Sequence, residues 1–263
     1  MDNDRILPLE GIRNFRDYGG YAAADGAKIK LRTLWRSGHH HGATAADLEA
    51  VDALGLRAVV DLRGDSERAA YPCERHPRFA ADVLYEPGET AGLSGAAAHE
   101  AAGEGVRTGA ESRAAMVRLN EGMPWRPVLV ASMKLHFDAL ATAGRGPILL
   151  HCVAGKDRTG LAAWLTHHAL GVHPDDAMAD YLLTNVATDL AGRMALGAET
   201  VRAKYGPQMD DEAVLALMSV APEYITAGLD AIRARHGNYD RYLHDVVGVS
   251  PDQIAAMRAN LVD

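Results

Sequence analysis

One ten-residue stretch of the chain carries most of the residues that could do chemistry. It reads HCVAGKDRTG over residues 151–160, and five residues separate Cys152 from Arg158. An apolar run at 147–150 precedes it and a helix-like segment at 159–170 follows it, so the context is a strand, a tight loop and a helix start. Such a loop can turn its backbone N–H groups inward and, with the helix N-terminus, hold a tetrahedral anion.

The residue types in this loop suggest how a bound anion would be used. The field that holds a phosphate also stabilises a thiolate, which makes Cys152 a candidate nucleophile. Arg158 carries a planar guanidinium that can bind two phosphate oxygens at once. A buried structural cysteine in a strand-to-helix turn is the alternative, and it leaves the accompanying polar residues unexplained. The candidate phosphate-binding residues are Val153, Ala154, Gly155, Lys156, Asp157 and Arg158.

A leaving oxygen needs a proton when it departs, and two carboxylates, Asp157 and Asp61, are candidates to supply it. Asp157 lies inside the loop itself and is the first candidate for the general acid. Its alternative role is to accept hydrogen bonds from backbone amides or to pair with a neighbouring cation. Asp61 follows an earlier apolar strand, and we assign it a supporting role in which paired hydrogen bonds fix the Arg158 guanidinium.

Two sets of motifs resemble the cysteine-dependent phosphatases, and within them the bacterial tyrosine-phosphatase-like group. The first set is the signature His-Cys, five residues, Arg and then Ser or Thr, which stands here at 151–159. The second set is NFRDYGG at 14–20, WRSG at 35–38 and VVDLR at 59–63. The group includes secreted virulence phosphatases with mixed protein and phosphoinositide specificity. The resemblance covers most of the chain, from about residue 11 to the final helix.

The resemblance implies a mechanism and a role for each matching residue. Cys152 would attack phosphorus and form a phosphocysteine that water then hydrolyses, while Arg158 would bind the phosphoryl group. Thr159 would steady the thiolate as a leaving group, and His151 would shape the loop by hydrogen bonding. The in-loop aspartate, here Asp157, is thought to take part in catalysis in this group.

The expected substrates are phosphotyrosine in proteins and, as a further possibility, phosphoinositides. The Ala-Gly-Lys run at 154–156 resembles the loops of phosphoinositide phosphatases, because Lys156 would place a second cation at the loop. A solvated Lys156 at the loop rim is the alternative. Two other classes stay open: a rhodanese-like sulfurtransferase and a non-catalytic phosphate-binding module. We expect no cofactor and no metal, since the adjacent histidines at 39–41 are poorly spaced to bind one ion together.

Length and patterning predict one α/β domain over residues 1–263. Short apolar runs that end at 36, 62, 85 and 152 predict a mostly parallel central sheet flanked by helices, similar to that of the cysteine phosphatases. Asp61, Arg63 and Cys152 would then lie at the carboxyl ends of strands, where open α/β sheets bind ligands. We expect residues 86–146 to form an insert or helical lid and residues 172–263 to form a helical C-terminal part.

Composition limits the partners and the location. The net charge of −8 argues against nucleic-acid binding, although a local cationic pocket can still attract an anionic substrate. Only two cysteines occur, so we expect no disulfide framework, and Cys73 is either an incidental thiol or a redox partner of Cys152. The first residues lack a signal-peptide pattern and no run approaches the roughly 20 apolar residues of a membrane span. A cytoplasmic location is expected, with leaderless secretion as the alternative.

Overall fold

The computed structural model describes residues 3–24, 26–90, 105–144 and 146–263. Within these ranges five strands form one sheet, in the spatial order β1-β2-β5-β3-β4. The edge strand β1 is antiparallel to β2, whereas the other pairings are parallel. The strands are β1 (Arg16–Asp17), β2 (Leu34–Ser37), β3 (Ala58–Asp61), β4 (Asp82–Leu84) and β5 (Ile148–His151).

The register of the sheet brings the carboxyl ends of three parallel strands level with one another. His151, the last residue of β5, is paired with both Ser37 of β2 and Asp61 of β3. Cys152 follows directly, at the edge of the sheet where parallel strands of open α/β folds bind ligands. The predicted position of Asp61, Arg63 and Cys152 at strand ends is therefore confirmed.

Helices surround the sheet, and capping residues mark several of their starts. A capping box at Thr44 and Asp47 opens the first, and another at Ser250 and Gln253 opens the last. The helices are α1 (Ala45–Asp52), α2 (Asp65–Ala70), α3 (Gly109–Gly122), α4 (Pro127–Ala141), α5 (Asp157–Leu170), α6 (Pro174–Leu182), α7 (Thr184–Ala187), α8 (Leu190–Tyr205), α9 (Asp211–Met218), α10 (Pro222–His236), α11 (Tyr239–Tyr242) and α12 (Pro251–Leu261). Shorter helical turns lie at Asn3–Arg5, Met123–Trp125 and Leu243–Val247.

The parallel strands β2, β3 and β5 are buried on both faces, and alternation along them assigns neighbouring side chains to two different cores. Leu149 packs on one face with Trp35, Val59 and Val51, the last of which belongs to α1. Leu150 points to the opposite face and joins the larger core, to which α4, α5, α10 and α12 contribute. Strands buried on both sides read as continuous apolar runs, which is why their positions could be predicted. The α/β architecture predicted from the sequence is confirmed.

The individual positions of two long helices, α3 and α8, were not predicted, although both lie in regions that were expected to be helical, 86–146 and 172–263. Their sequences are rich in alanine, glycine and charged residues, and their apolar residues are too few to show a clear helical period. Tertiary packing supplies the missing stabilisation. Ala115 of α3 is buried against Ala213 and Val214 of α9, and Leu190 and Met194 of α8 pack against the same cluster.

The region at 86–146 is divided between different environments. Leu129, Met133 and Phe137 of α4 are fully buried in the larger core, so this helix is part of the packing beneath the sheet. Residues 86–110 were interpreted as a loop or lid, but residues 91–104 lie outside the described residues. The lid and the single-domain organisation therefore stay predictions.

No single helix in the described ranges is both long and apolar enough to cross a membrane. The helices α9 and α10 meet the criteria of length and composition only as a pair, and that pair is bent by 52°.

Candidate active site

The loop at 153–156 connects the central strand to the N-terminus of α5. Cys152, at the start of this loop, is only 3% exposed, and the helix begins at Asp157, two residues earlier than predicted. Gly155 has a φ of 66°, and a Cβ atom there would lie 2.2 Å from the carbonyl oxygen of Ser37. The tight turn thus requires glycine at this position, both for its backbone conformation and for its close approach to β2.

Hydrogen bonds from outside the loop hold its carbonyl groups. The amide of His39 donates to the carbonyl of Val153 at 3.0 Å. The Nδ2 of Asn14 donates to the carbonyls of Ala154 and Gly155, at 3.4 and 2.8 Å. Because a trans peptide points its C=O and the next N–H in opposite directions, the following amides face away from these donors. The loop therefore has the inward amide orientation that binds anions.

A buried network of charges supports the loop from behind. Arg36 of β2 donates from Nη2 to the Gly155 carbonyl at 3.0 Å and from Nη1 to Asp180 of α6 at 2.7 Å. Arg16 donates to the same carboxylate at 3.3 Å and also to the side-chain oxygen of Asn14. Side chains from the N-terminal motif, β2 and α6 are thus joined behind the phosphate loop.

The electrostatics of this network follow from burying two arginines beside one carboxylate. Burial alone would raise the pKa of Asp180, but Arg16 and Arg36 offset it and hold that pKa well below its usual range. Burial and the charge of Arg36 lower the pKa of Arg16 to about 10. Removal of one partner from such a group would leave an uncompensated buried charge, which is strongly unfavourable. Arg36 therefore stays paired with Asp180, and from this fixed position it holds the Gly155 carbonyl of the loop.

Arg158 is anchored by Glu67, and the prediction that Asp61 fixes it is wrong. The Glu67 carboxylate accepts from Nη1 at 2.5 Å and from Nη2 at 2.7 Å, while the Thr90 hydroxyl accepts from Nη1 at 2.7 Å. Burial lowers the pKa of Arg158, but Glu67 outweighs it, with further contributions from Cys152 and Asp157, and the net shift is upward. Glu67 takes this role because α2 starts just after β3 and places its first turn against the start of α5.

Asp61 instead holds Arg63, its near neighbour in the chain. The Asp61 carboxylate accepts from Arg63 Nε at 2.8 Å and from Nη2 at 2.7 Å, and it lies 3.7 Å from His151 Nε2. Burial favours the neutral acid, but His151 and Arg63 outweigh it and keep the pKa of Asp61 well below its usual range. Burial lowers the pKa of His151 to about 4, so this imidazole is neutral near pH 7.

Two candidate catalytic side chains carry buried polar atoms without a hydrogen-bond partner among the described residues. The hydroxyl of Thr159 is fully buried and without a hydrogen-bond partner in the described part of the chain. The Oδ1 of Asp157 is likewise buried and unpartnered there, while its Oδ2 lies 3.8 Å from Lys156 Nζ. Unpartnered buried polar atoms are costly in a resting structure, and they are common where a ligand or reacting group completes the site.

Lys156 is buried and donates to carbonyls at the end of α9. Its Nζ contacts the carbonyl oxygens of Leu217 and Ser219 at 2.5 and 3.0 Å, and the residue is 5% exposed. The alternative of a solvated lysine at the loop rim is therefore wrong. The cation complements the negative end of a helix and ties the helical C-terminal part to the phosphate loop.

A second arginine, Arg126, lies beside Arg158, although the sequence did not single it out. Arg126 precedes α4 and donates to the Thr90 carbonyl at 3.3 Å, while Arg158 contacts the hydroxyl of the same threonine. Burial and the charge of Arg158 lower the pKa of Arg126. Two guanidinium groups therefore contact the same threonine, and the one carried by Arg158 is paired with Glu67.

Neither cysteine is in a disulfide, and no metal cluster is found within the described ranges. Cys73 is a half-buried free thiol whose sulfur accepts from the His40 amide and from Arg63, both at 3.3 Å. No group of three or more His, Cys, Asp or Glu side chains in the described residues could hold a metal ion.

A cysteine beneath an anion-binding loop, with an arginine at the far end of that loop, is the arrangement of a cysteine-dependent phosphatase. The chain matches the model of the tyrosine phosphatase family over residues 7–263, and it belongs to that family. A Cupriavidus necator protein named as a tyrosine-protein phosphatase is 33% identical over 255 residues, covering 94% of this chain and 86% of the relative. The triple specificity protein phosphatase PtpB of Mycobacterium tuberculosis is 28% identical, with 98% and 99% coverage. The family predicted from the motifs is confirmed.

Proposed function

We propose that the protein hydrolyses phosphomonoesters through a phosphocysteine intermediate formed on Cys152. The observation that carries this proposal is the position of Cys152, at the end of the central strand and below a loop whose first three carbonyls, those of Val153, Ala154 and Gly155, are held by groups from other segments. The amides of that loop, the N-terminus of α5 and the Arg158 guanidinium form one concentration of positive potential. Such a field stabilises both the thiolate and the phosphoryl oxygens that gain charge during transfer.

The reaction has two chemical steps, transfer of the phosphoryl group to Cys152 and hydrolysis of the phosphocysteine. The Cys152 sulfur attacks phosphorus, the bond from phosphorus to the leaving oxygen breaks, and Asp157 gives that oxygen its proton. Water then attacks the phosphocysteine, Asp157 accepts the proton of this water, and the thiolate departs with phosphate as product. The Thr159 hydroxyl is free to donate to the departing sulfur. Asp61 and His151 support the strand ends on which the loop stands.

The proposed substrates are phosphotyrosine in proteins and phosphoinositides, in keeping with the triple specificity named for the mycobacterial relative. The second cation that this range of substrates requires is Arg126 in our proposal, because Lys156 is engaged with carbonyls of α9. A lipid with one phosphomonoester and one phosphodiester could place the first at Arg158 and the second at Arg126. Nucleic acid is not among the proposed partners, and a cytoplasmic location stays a prediction.

Replacement of Arg126 by methionine should separate these two substrate classes. We expect kcat/KM for short-chain phosphatidylinositol 3-phosphate to fall about tenfold, because a hydrogen bond to a charged group contributes roughly 1.5 kcal/mol or more. Phenyl phosphate, which has one phosphate, should be hydrolysed almost as before. Phosphate release would be measured for both substrates in the presence of a chelator, with the exposed Arg118→Met as the control. Equal losses on both substrates would exclude a role in specificity.

Replacement of Asp157 by asparagine should remove the general acid. With phenyl phosphate we expect kcat to fall about 100-fold near neutral pH and the basic limb of the pH–rate profile to disappear. With p-nitrophenyl phosphate the loss should be much smaller, because its leaving group departs readily without a proton. The exposed Asp175→Asn is the matched control. A retained basic limb, or the same loss on both esters, would show that another group supplies the proton.

The alternative classes predict different chemistry at the same cysteine. A sulfurtransferase would convert thiosulfate and cyanide to thiocyanate, and a binding module would bind phosphate without turnover. Membership of the tyrosine phosphatase family does not favour either of them. Thiocyanate formation by the wild-type protein, without hydrolysis of any phosphate ester, would contradict the proposal.

A further inference from the structure

A cavity of about 300 Å³ lies away from the phosphate loop, between α1, the start of β3 and the segment at 74–80. Its apolar wall is formed by Leu48 and Val51 of α1, by Leu56 and by Phe79. The volume is at the lower end of the range seen for small-molecule sites, which are mostly apolar with a few placed polar groups. A compact apolar body would fit this wall.

One half-buried cation of the cavity, Arg75, has no carboxylate in contact among the described residues. Its side chain lies against the Phe79 ring at 4.9 Å. Burial lowers the pKa of Arg75, and the nearby Cys73 and Asp61 only partly oppose this shift.

The acidic residues around the cavity already have other partners. Asp52 pairs with Arg78 at 2.9 Å, and it also lies 3.4 Å from His76. Glu74 accepts from the Gly42 amide at 2.9 Å. Arg75 is therefore the half-buried cation of the cavity that has no carboxylate in contact, whereas Arg57, at the rim, is exposed to solvent.

We propose that this cavity is a second ligand site, which takes a small aromatic carboxylate with its ring against Phe79 and Leu56 and its carboxylate on Arg75. A planar guanidinium binds a carboxylate with two parallel hydrogen bonds, and the half-buried setting strengthens them relative to a surface pair. Phosphate esters are less suited to the cavity, because their second negative charge would face Asp52 and Glu74.

The proposed site is physically connected to the phosphate loop. Arg75 can only donate, so His40 Nδ1 accepts its hydrogen bond at 3.0 Å and the ring proton of the neutral His40 lies on Nε2. That Nε2 is 3.2 Å from the Ser37 hydroxyl. The backbone carbonyl of Ser37 lies so close to Gly155 of the loop that a Cβ atom on Gly155 would clash with it. The ligand would thus contact hydrogen bonds that lead through His40 to Ser37, a residue whose backbone lies against the phosphate loop.

Binding of 2-naphthoate, measured by isothermal titration calorimetry with saturating vanadate present to fill the phosphate loop, tests the proposal. We expect 2-naphthoate to bind the wild-type protein and the uncharged 2-naphthalenemethanol to bind at least about tenfold more weakly. Arg75→Met should weaken naphthoate binding to a similar extent. The matched control is Arg57→Met, since Arg57 is an exposed cation at the rim of the same cavity and should contribute little.

The comparison of the acid with the alcohol uses the unmodified protein, so it remains decisive even if Arg75→Met disturbs folding. Absence of naphthoate binding at millimolar concentration would overturn the proposal. So would loss of binding when vanadate is added, because the ligand would then occupy the phosphate loop. Equal affinity for acid and alcohol, or a larger effect of Arg57→Met than of Arg75→Met, would also overturn it.

Discussion

Cys152→Ser is expected to abolish turnover, with kcat lower by roughly 10⁴-fold or more, as found when an enzyme loses its nucleophile. The hydroxyl of serine is far less acidic than a thiol, so the field of the loop cannot ionise it near neutral pH. The loop amides and Arg158 are unchanged by the substitution, and the variant should still bind vanadate or phosphate. Stopped assays with p-nitrophenyl phosphate and calorimetric titration of phosphate would measure the two properties.

Cys73→Ser is the matched control for this substitution. It makes the same atomic change, and the serine oxygen can still accept hydrogen bonds from the His40 amide and Arg63. We expect its activity to equal that of the wild type. Full turnover by Cys152→Ser would show that the reaction does not pass through a phosphocysteine. Loss of activity in Cys73→Ser would give the second thiol a role that the geometry does not predict.

Arg158→Lys is expected to lower kcat about 10³-fold, although it keeps the positive charge. An arginine that stabilises a phosphoryl-transfer transition state contributes roughly 10³–10⁵-fold, and lysine lacks the planar fork that contacts two oxygens together. The substitution also removes the two guanidinium donors that the buried Glu67 carboxylate accepts from Arg158. Single-turnover kinetics with phenyl phosphate would separate the loss in the chemical step from any loss in binding.

The double variant Arg158→Lys with Glu67→Gln tests whether Glu67 acts through Arg158. Glu67→Gln alone should reduce kcat by about 10–100-fold, the usual cost of losing a residue that orients a catalytic group. If the two residues act together, the double variant should be little worse than Arg158→Lys alone. Fully additive losses, or a Glu67→Gln variant with wild-type kcat, would contradict the anchoring role. Arg113→Lys, on the exposed surface of α3, should leave kcat unchanged.

Several elements of the fold could be predicted because their signals are local. The strands at 58–61 and 148–151 are short apolar runs, and the starts of α1 and α12 carry capping residues within four positions of one another. The helix α3 also begins with a capping box, at Thr108 and Glu111, but neither α3 nor α8 has enough apolar residues to show a clear helical period. Their stability depends on the cluster of apolar side chains that they form together with α9. These contacts exist only once the chain is folded.

The partners of the site residues could not be predicted for the same reason. Asp61 stands at the correct strand end, but its carboxylate is occupied by Arg63, two residues away. Glu67 lies 91 positions from Arg158 in the chain and has no motif of its own. Only the path of α2 over the start of α5 brings the two together. The partners of Asp180 could not be predicted either, because in the sequence Asp180 is an ordinary acidic residue on an amphipathic helix.

The sequence by itself determined the chemistry: a cysteine, a glycine turn and an arginine within one contiguous loop, where covalent spacing alone fixes which groups can surround a phosphate. The tertiary structure decided what holds that chemistry in place. It selected Glu67 for Arg158, placed Asp180 between two buried arginines and committed Lys156 to the end of α9. Ion pairs between distant segments depend on how helices pack across the sheet, and no short stretch of sequence encodes that packing.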